Sequence, residues 1–414
     1  MRVLVLGGGV AGVSAAWRLL ADGHEVSVVD RQPAPALETS YANAGLIAPG
    51  HSFAWASPKA PGILLKSIWR DDQAFRFRLT PDPRMWAWSL RFLRQCTAAR
   101  ARTNTLRKHA LCLYSQRLFR DLITETGIEY DGRTGGLLYL YRTPASFKRG
   151  VANMRVLAED GQQQEVVDPD RITEIDPALA AARDRIAGGV YCPTDESGDA
   201  RLFTANLARL CADRGAVFNY RRTVRALVAE GDRIERISTD KGDMTADVYV
   251  LSLGCYSPHQ VRPLGIGLPV YPVKGYSVTV PLGTEGKAPA IGGVDEDNLV
   301  AYCPLGQRLR VTATAEFAGY STSHRPADFG KMLRAIQDLF PGGGDFGQPQ
   351  YWAGLRPMTP AGTPILGFGR HRNLCYNTGH GHMGWTMACG TAAIVADLIG
   401  GRTPDLNLDG MRPH

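Results

Sequence analysis

Val3-Leu4-Val5-Leu6 runs directly into Gly7-Gly8-Gly9-Val10-Ala11-Gly12, and the same unit closes with Glu25-Val26-Ser27-Val28-Val29-Asp30. An apolar run, a glycine turn, a helical stretch, a second apolar run and a terminal carboxylate follow one another in the order of a nucleotide-binding βαβ unit. Gly7, Gly9 and Gly12 carry the G-x-G-x-x-G spacing. The first glycine permits the tight turn, the second lets backbone approach a pyrophosphate, and the third lets helix pack close on strand. A helix opening at Val10 and Ala11 turns N–H groups and the positive end of its dipole toward phosphate. Asp30 follows Gly12 by 18 residues, near the roughly 20 expected of an acid that accepts from the adenosine ribose. Arg31 stands beside it, and an acid at this position disfavours a 2′-phosphate.

The bulk composition narrows the class. At 414 residues the chain exceeds one ordinary core, so two domains, one of them discontinuous, are expected. No run of 18 apolar residues occurs, and the glycine motif starts too early to leave room for a signal peptide, so a cytoplasmic protein is expected. The eight cysteines contain no C-x-x-C pair, which argues against a zinc site and for reduced, packed thiols; no metal is expected. The net charge of +7 rests on 39 Arg and 8 Lys without a nucleic-acid motif, so no nucleic-acid partner is expected.

Further along, Glu38–Gly45 (E-T-S-Y-A-N-A-G) is small and polar, suited either to lie against a ligand or to serve as a loop. Residues 51–100 interleave Trp55, Trp69, Trp86, Trp88, Phe53, Phe75, Phe77 and Phe92 with Arg70, Arg76, Arg78, Arg84, Arg91 and Arg94. Aromatics among cations suit a membrane interface, and equally a helical core with solvated arginine faces. The pattern predicts helices over 101–125 and 199–213. It predicts strands over 135–141 and at Ala246–Gly254, with antiparallel strands within 270–316. Leu374–Asn377 leads into Gly379-His380-Gly381-His382-Met383-Gly384 and a helix over 385–398. The chain thus begins and ends on glycine turns that open helices. An NAD site is completed early in its domain. A return at the C-terminus points to a larger cofactor, FAD, whose ring system needs a second clamp.

Several stretches then resemble the D-amino acid dehydrogenase family, within the wider D-amino acid oxidase and glycine oxidase superfamily. They are Gly354-Leu355-Arg356-Pro357-Met358-Thr359-Pro360, Asn377–Gly381, Gly384–Ala388, Glu38–Gly45 and Tyr271–Ser277. The resemblance covers nearly the whole chain. It departs at Ala361, where the family often has Asp, and at His382-Met383, where smaller or aliphatic residues are usual. It implies an α/β fold: an FAD-binding Rossmann-like, glutathione-reductase-like domain (1–50, 198–262, 350–414) plus a discontinuous α+β substrate domain with a mixed antiparallel sheet (51–197, 263–349). It implies a flavoprotein oxidoreductase that oxidatively deaminates D-amino acids, small or apolar ones by expectation, through hydride transfer to flavin N5. Electrons would pass to a quinone or other respiratory acceptor or to a dye; a peripheral membrane contact is expected only from the aromatic and basic pattern of residues 51–100. The alternatives are an oxidase using oxygen on glycine, sarcosine or another amine, and a D-proline or D-hydroxyproline dehydrogenase.

The chemistry requires a cation for the substrate carboxylate, and a guanidinium binds it by two parallel hydrogen bonds. By resemblance Arg356 fills that role, with Tyr276 or Tyr302 sharing the carboxylate and Lys274 placing a cation near the flavin. Ser40, Ala42, Asn43 and Ala44 are expected along the flavin, Gly254 at the close of a strand returning to the nucleotide sheet. Gly379, Gly381, Gly384, Trp385 and Thr386 would aim a helix start at the flavin pyrimidine. His380 and His382 are expected as hydrogen-bonded loop residues rather than bases.

Overall fold

The computed structural model describes residues 1–67, 75–78, 81–284 and 286–413. Trp69 and Arg70 lie outside the described residues. The opening apolar runs form adjacent parallel strands, Arg2–Leu6 and Glu25–Val29, at the heart of a six-stranded sheet. Across it the order is Ile365–Phe368, Leu374–Thr378, Val248–Leu251, Arg2–Leu6, Glu25–Val29 and Val217–Asn219, and only the first of these runs antiparallel to its neighbour. Helices Val10–Ala21, Ala200–Asp213 and Gly384–Ile399 share one core cluster with this sheet through Val13, Leu207 and Val395, while the hairpin of Val224–Glu230 and Arg233–Thr239 shares another with Leu4, Leu6 and Leu251. Buried on both faces, the central strands read as continuous apolar runs.

The helix Ala98–Thr126 starts where the Thr97 side chain accepts from the Arg100 N–H and stops at Gly127, whose left-handed φ of 60° a side chain would strain. Phe119 and Leu122 bury against the nucleotide domain's core. This segment therefore packs with that domain, although the sequence division assigned 51–197 elsewhere.

The second sheet runs Gln350–Met358, Tyr271–Pro281, Arg308–Phe317, Val300–Leu305, Gly292–Asp295, Leu137–Tyr141, Gly188–Cys192 and Glu165–Val167, with Phe75–Phe77 beside Arg308–Phe317. Helix Gly330–Leu339 packs on its outer face through Met332, Ile336 and Leu339. The strand Gln350–Met358 pairs with Tyr271–Pro281 over its whole length. The division expected at residue 350 is thus displaced: the return to the nucleotide sheet comes at Ile365.

Much of the aromatic stretch at 51–100 is core. Trp88 and Phe92 stack at 5.2 Å beside Tyr271 and Phe317, and Phe77 lies 5.3 Å from Phe317. Trp86, Leu90 and Leu93 stay exposed on the opposite face of helix Pro83–Gln95.

Candidate active site

One cavity of about 530 Å³ runs from the first glycine turn to the inner face of the second sheet. At its nucleotide end Gly7 takes φ +110°, and a Cβ there would sit 2.5 Å from the Ser252 carbonyl oxygen. Gly12 lies behind the lining, where a Cβ would meet the Gly7 carbonyl oxygen at 2.0 Å, so its role is close helix–strand packing. Gly9 and Gly254 leave room: a Cβ on Gly9 would meet only Ser40 Oγ at 3.5 Å, and one on Gly254 would meet nothing. The helix after Gly9 has no side-chain cap and no acid in its first turn. Ser40 Oγ accepts from the Val10 N–H at 3.1 Å.

Asp30 is held by backbone: Oδ2 accepts from the Gly8 N–H at 2.6 Å and Oδ1 from the Gln32 N–H at 2.7 Å. Each carboxylate oxygen retains a second lone pair for a ribose hydroxyl. Burial raises the Asp30 pKa, opposed by those two N–H bonds. Arg31 lies 4.0 Å over the Tyr256 ring and pairs with Glu38 at 2.7 Å. Ala11 also lines the cavity here.

The middle is walled by Ala42, Asn43, Ala44, Gly45 and Leu46 on one side and by Gly381, Gly384 and Trp385 on another. Arg310 fixes the first wall by donating to the Asn43 carbonyl at 3.2 Å, and Thr39 Oγ1 ties it to the Leu355 carbonyl at 2.7 Å. Thr386 is a clasp outside the lining: its Oγ1 accepts from the Ala48 N–H at 3.2 Å. Gly379 also lies outside the lining, with φ +78° and Thr359 Cγ2 2.7 Å from any added Cβ. The Trp385 ring packs among Phe119, Tyr130 and Phe203, so its indole belongs to the core. These surroundings fit a flavin dinucleotide: a helix start without an acid in its first turn and bare glycines at a phosphate position, a buried acid at a ribose position, then small uncharged residues along a flat ring.

At the sheet end, Val273 and Gly275 share a face with Arg356, Gly354 and Trp352, because facing residues of paired strands point to the same side. Gly275 faces Gly354 in the register. A Cβ on Gly275 would lie 2.5 Å from Arg356 Cζ, and one on Gly354 would lie 1.9 Å from Trp352 Cη2. The bare glycine pair therefore lets a guanidinium and an indole lie flat on the sheet.

Arg356 Nη1 donates to the Thr314 carbonyl at 2.9 Å, a group presented by a strand irregularity in which Thr314 takes φ +64°. No carboxylate of the described residues lies within ion-pairing reach of Arg356, and burial alone lowers its pKa to about 10. A half-buried cation facing a cavity without a counter-charge is a receptor for an anion.

The other expected cations and hydroxyls lie elsewhere. Lys274 and Tyr276 flank Gly275 and so point to the opposite face. Lys274 Nζ donates to the Ser323 carbonyl at 3.0 Å and pairs with Glu316 at 3.4 Å, outside the cavity. Tyr276 borders the cavity, but its hydroxyl donates to Glu316 and its ring meets Phe329 edge-on at 5.4 Å. Tyr302 is fully buried beyond the wall, 4.9 Å from Phe340, while its neighbour Ala301 faces the cavity.

Sequence reading missed His51, Trp55, Phe75, Leu299, Thr314 and Trp352, all of which line the cavity. Trp55 and Phe75 stood in the aromatic stretch, where they were not separable from core. His51 Nε2 lies 3.1 Å from Glu296, and its ring stacks on Tyr139 at 5.6 Å. His380 Nε2 meets Thr391 Oγ1 at 3.1 Å, as a loop residue would. His382 differs, since its Nε2 is buried without a partner.

The family model described as FAD dependent oxidoreductase matches residues 2–398. The chain is 48% identical over 412 residues to D-amino acid dehydrogenase 2 of Mesorhizobium japonicum, covering 99% of each chain. It is 45% identical over 412 residues to the D-amino acid dehydrogenase of Paramagnetospirillum magneticum, covering 99% of this chain and 98% of that one. Among solved structures it resembles glycine oxidase from Bacillus cereus in fold, with a TM-score of 0.76 at 22% identity, covering 99% and 97% of the two chains.

Proposed function

The chain belongs to the FAD dependent oxidoreductase family, and from that premise we propose that it oxidises D-amino acids to 2-oxo acids and ammonia. The observation that carries this reading is Arg356, an arginine without an ion partner among the described residues, in the cavity that also holds the dinucleotide turn. Two full-length relatives bearing the name D-amino acid dehydrogenase support the choice of substrate class.

Arg356 receives the substrate carboxylate by two parallel N–H···O bonds, with the Thr314 carbonyl holding one end of the guanidinium. Trp352 and the sheet backbone at Gly354 bound the substrate on one side, and His51, Trp55 and His382 on another. Bound FAD supplies the two-electron acceptor for the hydride that leaves the substrate Cα. The amino nitrogen enters neutral and its lone pair forms the C=N bond as the hydride departs. It then sheds a proton to solvent, and water hydrolyses the imine. Arg31 and Asp30 hold the adenosine end and take no part in these steps.

For the electron outlet we infer a membrane-borne acceptor such as a quinone. Of the nine large apolar side chains exposed among the described residues, Ile63, Leu65, Trp86, Leu90 and Leu93 lie on helices Ala60–Ser67 and Pro83–Gln95, beside exposed Arg84, Arg91 and Arg94. Apolar tips among arginines suit an anionic bilayer surface. No described helix is long and apolar enough to cross a membrane.

The test is turnover of purified holoenzyme with D- and L-alanine, D-serine, sarcosine and glycine, following dye reduction and peroxide in parallel. Dye reduction with D-substrates and little peroxide supports the reading. Peroxide formation from glycine or sarcosine, without D-specific turnover, overturns it in favour of an amine oxidase.

A further inference from the structure

Two imidazoles stand together at the substrate end of the cavity, and the chemistry above uses neither as more than a wall. His382 is stacked on Trp55 at 4.8 Å and 24°, and His51 meets it edge-on at 6.5 Å and 89°. Both rings are fixed from behind. Trp55 is braced edge-on by Phe75 at 5.4 Å. His51 is held by Glu296 at 3.1 Å and lies nearly parallel to Tyr139. The Tyr139 hydroxyl is itself bound to Asp195 at 2.6 Å.

His382 carries a hydrogen-bonding deficit. Its Nε2 is buried without a hydrogen-bond partner among the described residues. Burial first, and then the nearby cations Lys108 and Arg356, hold the His382 pKa well below the ordinary imidazole value, so the neutral ring offers one N–H and one lone pair. Arg356 is near enough to contribute to that field. Arg356, His51, Trp55 and His382 line the same cavity, so a substrate anchored on Arg356 by its carboxylate shares that space with both rings. An unmet polar group in such a place is destabilising unless a ligand answers it. A hydroxyl, donor and acceptor at once, answers a neutral imidazole. An ammonium or guanidinium would instead meet the positive field of Arg356 and Lys108.

We propose that His51 and His382 form a side-chain subsite that selects D-amino acids bearing a hydroxyl group over their unsubstituted counterparts. The inference rests on the D-amino acid reading above and narrows it, away from the small apolar substrates expected from the sequence.

The test uses pairs that differ by one oxygen: D-serine against D-alanine, and D-threonine against D-2-aminobutyrate, as kcat/KM in dye reduction. The hydroxylated member is expected to be favoured by at least about tenfold, since a site built to bond a hydroxyl rejects the analogue without it. In His382→Leu the ratio is expected to fall toward one. A wild-type ratio at or below one overturns the proposal. Binding gives a second measure: 3-hydroxypropionate against propionate, titrated by perturbation of the flavin absorbance. Tighter binding of the hydroxy acid in wild type, lost in His382→Leu that retains its flavin, supports the subsite; equal binding in wild type overturns it. If no D-amino acid is turned over, the functional reading fails, and the ligand titration decides the subsite by itself.

Discussion

Replacing Gly275 with alanine adds one methyl group at a place already filled by the Arg356 guanidinium. The three atoms nearest the new Cβ are Cζ and Nη2 at 2.5 Å and Nη1 at 2.8 Å, all of the same side chain. Ordinary contact begins at 3.4 Å, so the guanidinium must retreat by about 0.9 Å or swing off the Thr314 carbonyl. Gly275 has no left-handed φ, so alanine imposes no backbone strain of its own. The damage should therefore fall on substrate orientation. A misplacement of about 1 Å costs on the order of 100-fold in rate, or about 2.7 kcal/mol. The assay is steady-state dye reduction with a D-amino acid, alongside flavin content and thermal melting. The expected result is a roughly 100-fold lower kcat/KM with normal flavin content and a melting temperature close to wild type. A kcat/KM within threefold of wild type, at full flavin content, would show that the guanidinium position does not matter and would refute the reasoning.

Other perturbations test separate parts of the account. Arg356→Ala removes two charge-assisted hydrogen bonds worth roughly 1.5–3 kcal/mol each, so KM should rise on the order of 100-fold or more. The melting temperature should hold or increase, because a cation without a counter-charge is lost; a near-normal KM would reject the carboxylate role. Asp30→Ala should lower the flavin-to-protein ratio after dialysis, and full retention would remove Asp30 from the ribose site. Asp195, buried behind His51, has its pKa pushed up to about 7 by burial. The folded protein then keeps a proton that the unfolded chain sheds near its ordinary carboxylate range. Its contribution to stability accordingly declines as pH rises from about 4 to about 7 and levels above that. Asp195→Asn should flatten this slope in melts across that window, and an unchanged slope would contradict the assignment. Leu90→Glu, on the exposed face of helix Pro83–Gln95, should weaken cosedimentation with anionic vesicles while dye-linked turnover persists. Unaltered vesicle binding would count against that helix as the contact.

The nucleotide end was legible because its constraints are local. A buried run, glycines at fixed spacing and an acid all fall within 30 residues, and each answers a steric or electrostatic demand that sequence displays. Arg356 was legible by resemblance, and its spacing from Gly354 takes on physical meaning once Gly275 is seen opposite. The errors share one cause, strand parity. Lys274-Gly275-Tyr276 alternates in direction, so the glycine faces the cavity while Lys274 points away and the Tyr276 hydroxyl, at the cavity's border, is turned to Glu316. Tyr302 fails in the same way beside Ala301. Nothing in the local pattern says which face of a strand buried on both sides is the functional one. The boundary at 350 lies off the sheet boundary because strand pairing is not local: Gln350–Met358 pairs with Tyr271–Pro281. His51 and His382 were invisible as a pair because 331 residues separate them, and only the fold sets their rings edge to face.

The central claim is that one cavity holds a flavin and presents a D-amino acid to it on Arg356. Its most direct measurement is an anaerobic titration of the purified holoenzyme, following the visible flavin band. The band is expected to bleach with D-serine and D-alanine, to persist with their L-enantiomers, and to persist with D-substrates at the same concentrations in Arg356→Ala. Bleaching by both enantiomers alike, or undiminished bleaching by D-substrates in Arg356→Ala, would contradict it.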